Sequence, residues 1–487
     1  MRRKFLVNLF FLLGLNLIVK PFWIFGIDRT VQNVVGGQVY GLYFALFNFT
    51  VIFNTILDFG INNFNNKNVA SSPAFLPNNF SGIFSLKIFL AFVYFVVILL
   101  AGIFVGYSQA VIGMLMWMAV NQFLACFILY LRSNISGLLM FKTDSILSVI
   151  DRVVMIIACS ILLWGHVSEK PFQIEWFIGC QTFAYLFAIA IALPIVLRKV
   201  KLRFPTWNPA LFKKILWQSL PFALLALLTS LHNRTDAVLL ERLLPADCGD
   251  VQSGVYASAF RLLDAATMIA YLFSVILLPL FANIKQKEEE LFPIVKIAFS
   301  LMFVYGVLVA SLSWFFAVPL MNFLSDHQTD ISILVFRRLM IVIVPLSATY
   351  IFGTLLTAMG EMKKLNIIAV IAVVLNFSLN FLLIPHFKAA GATIASLCTQ
   401  IFLFVAEVLI VKHLFKQSIP WIYLLQLFLF AILTIVATYG ISCLHLDWKT
   451  NCIIAVFCIV LISFVVKLFS IKEVKRIIQN EILLKNK

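Results

Sequence analysis

The stretch "LTSLHNRTDAVLLERLL", Leu228 to Leu244, places Arg234 and Asp236 inside a run that is otherwise mostly apolar. If that run crosses a bilayer, each charge at mid-depth costs about 2.5–3.5 kcal/mol on insertion scales, so such residues face a bundle interior or a wet cavity. Lys20, Asp58, Lys87, Asp151, Arg152, Arg261, Asp264 and Glu407 fall in comparable apolar surroundings. Arg and Lys both donate to phosphate oxygens. Interior cations on several helices therefore suit an anionic substrate, with a diphosphate as the natural candidate. Arg234, Arg261, Lys20 and Arg152 are the candidate anion-binding residues. Asp58, Asp236 and Asp264 are the candidates for coupling to H+ or Na+.

Depth groups the cations. At 1.5 Å per residue, Arg234 lies ~10 Å below the outer loop beginning at Glu241, Arg261 ~13 Å below a helix start near 252, and Lys20 ~12 Å below Asp28. Lys20, Arg234 and Arg261 would then share one layer. Asp236 is two residues from Arg234 and points to another face, whereas Asp264 is three from Arg261 and within its reach. Structural readings stand beside these. Arg261–Asp264 can be a plain ion pair, Arg234 can pair with an acid on a neighbouring helix, and Lys20 can snorkel outward. Lys87 and Glu407 lie near the inner surface and read as snorkelling side chains. Arg152, about two turns from the inner end, reads as a second cation with Asp151 facing elsewhere.

The elements that hold these residues follow from composition. Of 487 residues, 62% are hydrophobic and 12% charged, and mean hydropathy is +1.03. Repeated apolar segments of about 20 residues imply a polytopic helical membrane protein. Runs such as "SLKIFLAFVYFVVILLAGIFV" do not alternate as barrel strands would. Segments fall at about 5–27, 38–61, 81–105, 110–131, 145–165, 174–197, 215–240, 252–282, 294–318, 331–358, 364–385, 389–411, 420–442 and 451–470. That makes about 14 transmembrane helices in an all-α protein. The first begins "MRRKFLVNLFFLLGLNLIVKPFW", which imitates a signal peptide but shows no small-x-small cleavage site, and reads as a retained helix.

The formal charge of +16 could serve nucleic acid, but its distribution does not. With both termini cytoplasmic, about 25 Lys and Arg fall in inner loops and tails and about seven in outer ones. The Asn- and Pro-containing segment "NNFNNKNVASSPAFLPNN" reads as an irregular inner loop. Eight cysteines are scattered without a C-x-x-C or Cys/His cluster, so neither a disulfide framework nor a metal site is expected, and no cofactor.

An internal repeat divides the chain. "DRTVQNVVGGQVYGLYFALF" from Asp28 aligns without a gap with "ERLLPADCGDVQSGVYASAF" from Glu241. It matches Arg29 with Arg242, Gly36 with Gly249, Gly41 with Gly254, Tyr43 with Tyr256 and Phe47 with Phe260. Both copies read as the outer loop between the first two helices of a half, in the same orientation, so the repeat is parallel. The expected domains are an N-lobe of six helices (1–200), a cytoplasmic linker (201–214), a C-lobe of six helices (215–415), and two appended helices with a basic tail (416–487). In "VLNFSLNFLLIPHFKAAGATIASL", Asn376 and Asn380 share a helix face and Ala389 to Ser396 form a small-residue run, both suited to inter-helix packing.

Four stretches, "GQVYGLYFALFNFTVIFNTILDFGI", "RTDAVLLERLL", "SGVYASAFRLLDA" and "MGEMKKLNIIAVIAVVLNFSLNFLLIPHFKAAGATIAS", carry a resemblance in their order and spacing. Together they resemble bacterial polysaccharide-biosynthesis flippases of the multidrug/oligosaccharidyl-lipid/polysaccharide exporter superfamily. The resemblance implies two pseudo-symmetric six-helix lobes around a cavity in the bacterial inner membrane. It implies export of undecaprenyl-diphosphate-linked oligosaccharide, as for O-antigen units, from the cytoplasmic to the periplasmic leaflet by alternating access. It places the cationic cavity at Arg234 and Arg261, with Lys20 and Arg152 beside them. The peptidoglycan-precursor flippases share this architecture with more basic residues in the first two helices, where this chain has only Lys20 within the membrane.

Two rivals remain. A cation-coupled multidrug exporter of the same superfamily would favour intramembrane acids over cations. A membrane glycan polymerase or ligase would need a sizeable outer catalytic loop, whereas the outer loops are short and the six histidines dispersed. The expectation is a transporter rather than an enzyme.

Overall fold

In lipid only a helix or a closed barrel satisfies its own backbone polar groups. The computed structural model describes residues 14–15, 18–19, 21–71, 74–138, 140–165, 170–200, 209–284, 288–324, 329–415, 420–444 and 446–468. Among them every regular element is helical, and ten helical stretches are long and apolar enough to cross a membrane. The chain is a multi-pass membrane protein. Most of the segment 5–27, and Lys20 with it, lies outside the described residues.

The chain divides into two units, Met1–Ala257 and Ser258–Lys487. In the first, a π-helical turn, Trp23–Asp28, runs on into α1 (Arg29–Val35). Gly36 breaks the helix at φ 82° and ψ 159°, a conformation nearly confined to glycine. There follow α2 (Gly37–Ile52), α3 (Asn54–Asp58), α4 (Ile61–Ser71), α5 (Phe75–Val105), α6 (Gln109–Gly137), α7 (Phe141–Trp164), α8 (Ile174–Leu197) and α9 (Pro209–Leu243). The unit boundary falls within α10 (Ala246–Ile284). α9 packs along α2, and α6 lies against α4 and α8. Ile61, Leu86, Tyr130, Leu131, Ile135 and Ala192 are fully buried in this unit's core.

Two expectations change here. The segment after Asp58 is not irregular: α4 and the start of α5 occupy most of it. Asn65 is 1% exposed and donates to Ser133 Oγ and Asn134 Oδ1, both at 2.9 Å. Tertiary hydrogen bonds from α6 thus hold an asparagine whose own preference is against the helix. Nor are the repeated stretches outer loops. In the first copy only Gly36 separates α1 from α2, and in the second only residues 244 and 245 separate α9 from α10. The helices run to the turn because Gly36 reverses the backbone in one residue and Pro245 starts the next helix without needing an amide donor.

These turns bring α2 and α10 together at an unusually close crossing. A Cβ on Gly41 would stand 1.9 Å from the Asp250 carbonyl oxygen, and one on Gly254 would stand 2.1 Å from that of Gly37. Any side chain larger than hydrogen would force the helices apart. Ser253 Oγ donates to Gly41 O at 3.1 Å and Gln32 Nε2 to Gly254 O at 3.2 Å.

The second unit continues with α11 (Glu288–Phe315), α12 (Ala317–Leu324), α13 (Asp330–Ile341), α14 (Ile343–Met359), α15 (Met362–Phe415), α16 (Trp421–Ser442) and α17 (Trp448–Val465). Lys388, at φ 53° and ψ −135°, interrupts α15 and separates the two segments read from the sequence. The small-residue run lies just past this break, with Ala389, Gly391, Ala392 and Ala395 buried. Phe104 is 93% exposed, and Trp421 and Val465 each 76%. Side chains of this size remain on the surface because acyl chains, not water, solvate them.

Candidate functional site

In the first unit the polar residues of the apolar helices are met by specific partners. Asp236 on α9 is fully buried, and the phenol of Tyr256 on α10 donates to its Oδ2 at 2.8 Å. Asp28, 3% exposed, accepts from the Tyr40 hydroxyl of α2 at 2.8 Å. Each pair ties a helix to the one that follows it. The repeat aligns Asp28 with Glu241 and Tyr40 with Ser253, so the second pair lies about one turn further into its helices. In a medium without water, a phenol donor is worth more to a carboxylate than it would be at a surface.

Arg234, half-buried on α9, donates from Nη1 to the Oδ1 of Asn48 on α2 at 3.5 Å. Asn48 is 1% exposed, and its Nδ2 is spent on the Phe44 carbonyl at 2.8 Å, which turns Oδ1 toward α9. The guanidinium therefore enters the packed face of the first unit while keeping part of its surface accessible.

Arg152 on α7 turns back on its neighbour. Its Nε lies 3.6 Å from Asp151 Oδ2, where the sequence reading had Asp151 facing elsewhere. Adjacent residues diverge at Cβ, but the arginine stem is long enough to curl back. Its guanidinium also stands 5.6 Å from the Trp23 ring. Trp23 stacks on Phe177 at 5.7 Å, Phe177 meets Tyr43 edge-on at 5.4 Å, and Gln181 Nε2 donates to the Tyr43 hydroxyl at 2.7 Å.

Lys87 does not snorkel. It is 3% exposed, with Nζ 3.1 Å from Asp58 Oδ1, 3.4 Å from Leu57 O and 3.7 Å from Cys126 Sγ. A carboxylate on α3, within reach of the α5 lysine, outcompetes the route to the headgroups. Glu407 on α15 is likewise buried, at 6% exposure. Its Oε1 would lie 3.1 Å from a Cβ on Gly353 of α14, so the missing side chain there makes room for it. Arg261 and Asp264 are half-buried on α10, within the second unit. Asn380 Nδ2 donates to Asn376 Oδ1 at 3.1 Å along their shared face.

Near the end of α9, Tyr107 donates to Glu241 Oε2 at 3.1 Å, and Arg242 Nε sits 2.8 Å from the same oxygen. The Arg242 guanidinium lies 3.6 Å over the Tyr107 ring. Burial pushes the Glu241 carboxyl up, while Arg242 pulls it back; burial also raises the Tyr107 phenol. Among the described residues no group of three or more His, Cys, Asp or Glu is placed to hold a metal ion.

Sequence reasoning singled out Arg234 and Asp236 but passed over Asn48, Asp28, Tyr40 and Tyr256. The signal was available. Asp28, Tyr40 and Tyr256 all lie within the aligned copies of the repeat, Tyr40 and Tyr256 just inside the predicted segments 38–61 and 252–282.

A family model described as "Polysaccharide biosynthesis protein" matches residues 6–285. A search of curated proteins finds no match. Among solved structures, the chain is similar to the lipid II flippase MurJ in an inward closed conformation, with a TM-score of 0.67 and 15% identity over 92% of this chain and 98% of that one. It is also similar to an inward-facing multidrug resistance MATE family transporter of the MOP superfamily, with a TM-score of 0.58 and 14% identity over 83% and 96%. A MOP superfamily transporter from Pyrococcus furiosus, described as having a binding pocket of reversed polarity, gives a TM-score of 0.52 and 12% identity over 85% and 95%. At such identities the likeness is one of fold.

Proposed function

Because this chain belongs to the polysaccharide biosynthesis protein family, we propose that it is a flippase for undecaprenyl-diphosphate-linked oligosaccharide. It moves the glycan unit from the cytoplasmic to the periplasmic leaflet of a bacterial inner membrane, for a surface polysaccharide such as O-antigen. Two lobes of six helices, 1–200 and 215–415, alternate access to a cavity between them, with helices thirteen and fourteen appended. Both termini are cytoplasmic. The observation that carries the reading is Arg234, a half-buried cation in a mostly apolar stretch whose guanidinium reaches Asn48 while keeping part of its surface accessible. A diphosphate is a ligand whose oxygens such a guanidinium recognises.

In this mechanism Arg234 and Arg261, with Lys20 and Arg152, attract the diphosphate. The glycan fills hydrated space, and the polyprenyl chain stays in the bilayer. Asp236, Asp264 and Asp58 are the coupling candidates for H+ or Na+. Of these Asp58 is the poorest, because Lys87 already occupies its carboxylate. The rival reading, a cation-coupled drug exporter, draws support from the buried acids Asp28 and Asp236.

Complementation of a flippase-null strain, with lipid-linked oligosaccharide assayed in each leaflet, separates the two readings. Arg234→Ala and Arg261→Ala should lower flipping while leaving the protein inserted. Full flipping by both variants, or drug efflux without complementation, overturns the proposal.

A further inference from the structure

The second unit contains a recess unconnected with any residue proposed above to meet substrate. It has a cavity volume of about 60 Å3 between α11, α14, α15 and α16, below the size range of small-molecule sites, so it admits a segment of chain rather than a whole ligand. Its walls are apolar, with Phe299, Phe352, Leu355 and Val408 among them. The polar residues along it are few: Lys296, Lys412 and Tyr423. Tyr423 is fixed, its hydroxyl 2.7 Å from Ser300 Oγ, and its ring lies 5.0 Å from Lys296 Nζ. Neither lysine forms an ion pair with a described residue.

Both lysines stand near helix ends that the charge bias assigns to the cytoplasmic face, Lys412 three residues before the end of α15 at Phe415. Two cations without an ion pair among the described residues, beside a greasy slot, suit an occupant with one anionic head and an apolar tail. The inner leaflet supplies it: basic pockets between membrane helices on the cytoplasmic side hold anionic headgroups.

We propose that this recess binds one anionic phospholipid of the inner leaflet. Its phosphate lies between Lys296 and Lys412, and a segment of one acyl chain lies in the recess between α11 and α16. The lipid completes the packing of α16 against the second unit and takes no part in carrying substrate, so the proposal stands apart from the flippase reading.

The test uses the full-length protein, delipidated in detergent and re-supplied with phosphatidylglycerol or phosphatidylcholine of matched chains, with bound lipid counted by native mass spectrometry. The parent should retain one phosphatidylglycerol in preference to phosphatidylcholine. Lys296→Gln with Lys412→Gln should weaken that retention ~30-fold, at roughly fivefold per lysine. Val408→Trp, which fills the slot, should weaken retention of both lipids. A control, Lys199→Gln with Lys213→Gln, removes two charges elsewhere and should change nothing. Equal retention of the two lipids by the parent, undiminished phosphatidylglycerol in the double lysine variant, or the same loss in the control each overturns the proposal. Should Val408→Trp fail to fold, the lysine comparison decides alone.

Discussion

Gly41 and Gly254 are aligned partners in the internal repeat, and each seats against the other's helix: Gly41 on the backbone at Asp250, Gly254 on the backbone at Gly37. Asp250 and Gly37 are themselves aligned by the same offset. The contact is thus reciprocal, as at a two-fold interface between identical subunits, where residue i meets j and j meets i. Two pseudo-equivalent helices of one chain have kept the geometry of a symmetric pair.

This relationship predicts that Gly41→Ala and Gly254→Ala each destabilise the protein by about 1–3 kcal/mol, the usual cost of forcing extra volume into a packed contact. The double variant should lose much less than the sum, because the first substitution already separates the helices. Thermal unfolding of the purified protein in detergent checks both statements. Additive losses would show that the two glycines are not parts of one crossing.

Tyr256→Phe removes the phenol donor from the buried Asp236 carboxyl and should lower stability by about 1–3 kcal/mol. Tyr40→Phe should do the same through Asp28. If Asp236 also couples transport to an ion, Tyr256→Phe will shift the pH or sodium dependence of flipping, whereas Tyr40→Phe will not. Identical transport profiles for the two variants would assign both pairs to structure alone.

Lys87→Met strands Asp58 within the packed first unit. The loss should fall near or below the low end of the roughly 3–5 kcal/mol for breaking a buried ion pair, since Asp58 keeps some exposure. Lys87→Met with Asp58→Asn should recover most of it. Retained flipping in the double variant would remove Asp58 from the coupling candidates. Abolished flipping with restored stability would return it to them.

Glu407 has an oxygen, Oε2, without a hydrogen-bond partner among the described residues. A buried acid so placed costs free energy, and Glu407→Met should raise the melting temperature. A variant that is more stable yet fails to flip would mark Glu407 as a functional residue kept at the expense of stability. One that is more stable and fully active would mark it as inert.

The sequence by itself determined that this is a polytopic helical membrane protein, because bilayer thickness sets the length of an apolar segment whatever it packs against. It also determined that two stretches repeat, and that Arg234 and Asp236 lie where lipid alone would not tolerate them. Only the tertiary structure decided the partners: Asp236 with Tyr256, Arg234 with Asn48, Asp58 with Lys87. The physical reason is that depth along a helix follows from counting residues. The partner across the gap depends on which helix is adjacent and how it is rotated, and no local stretch of sequence specifies that. The same holds for the repeat, whose alignment was legible while its meaning, a glycine crossing between α2 and α10, required both helices in place.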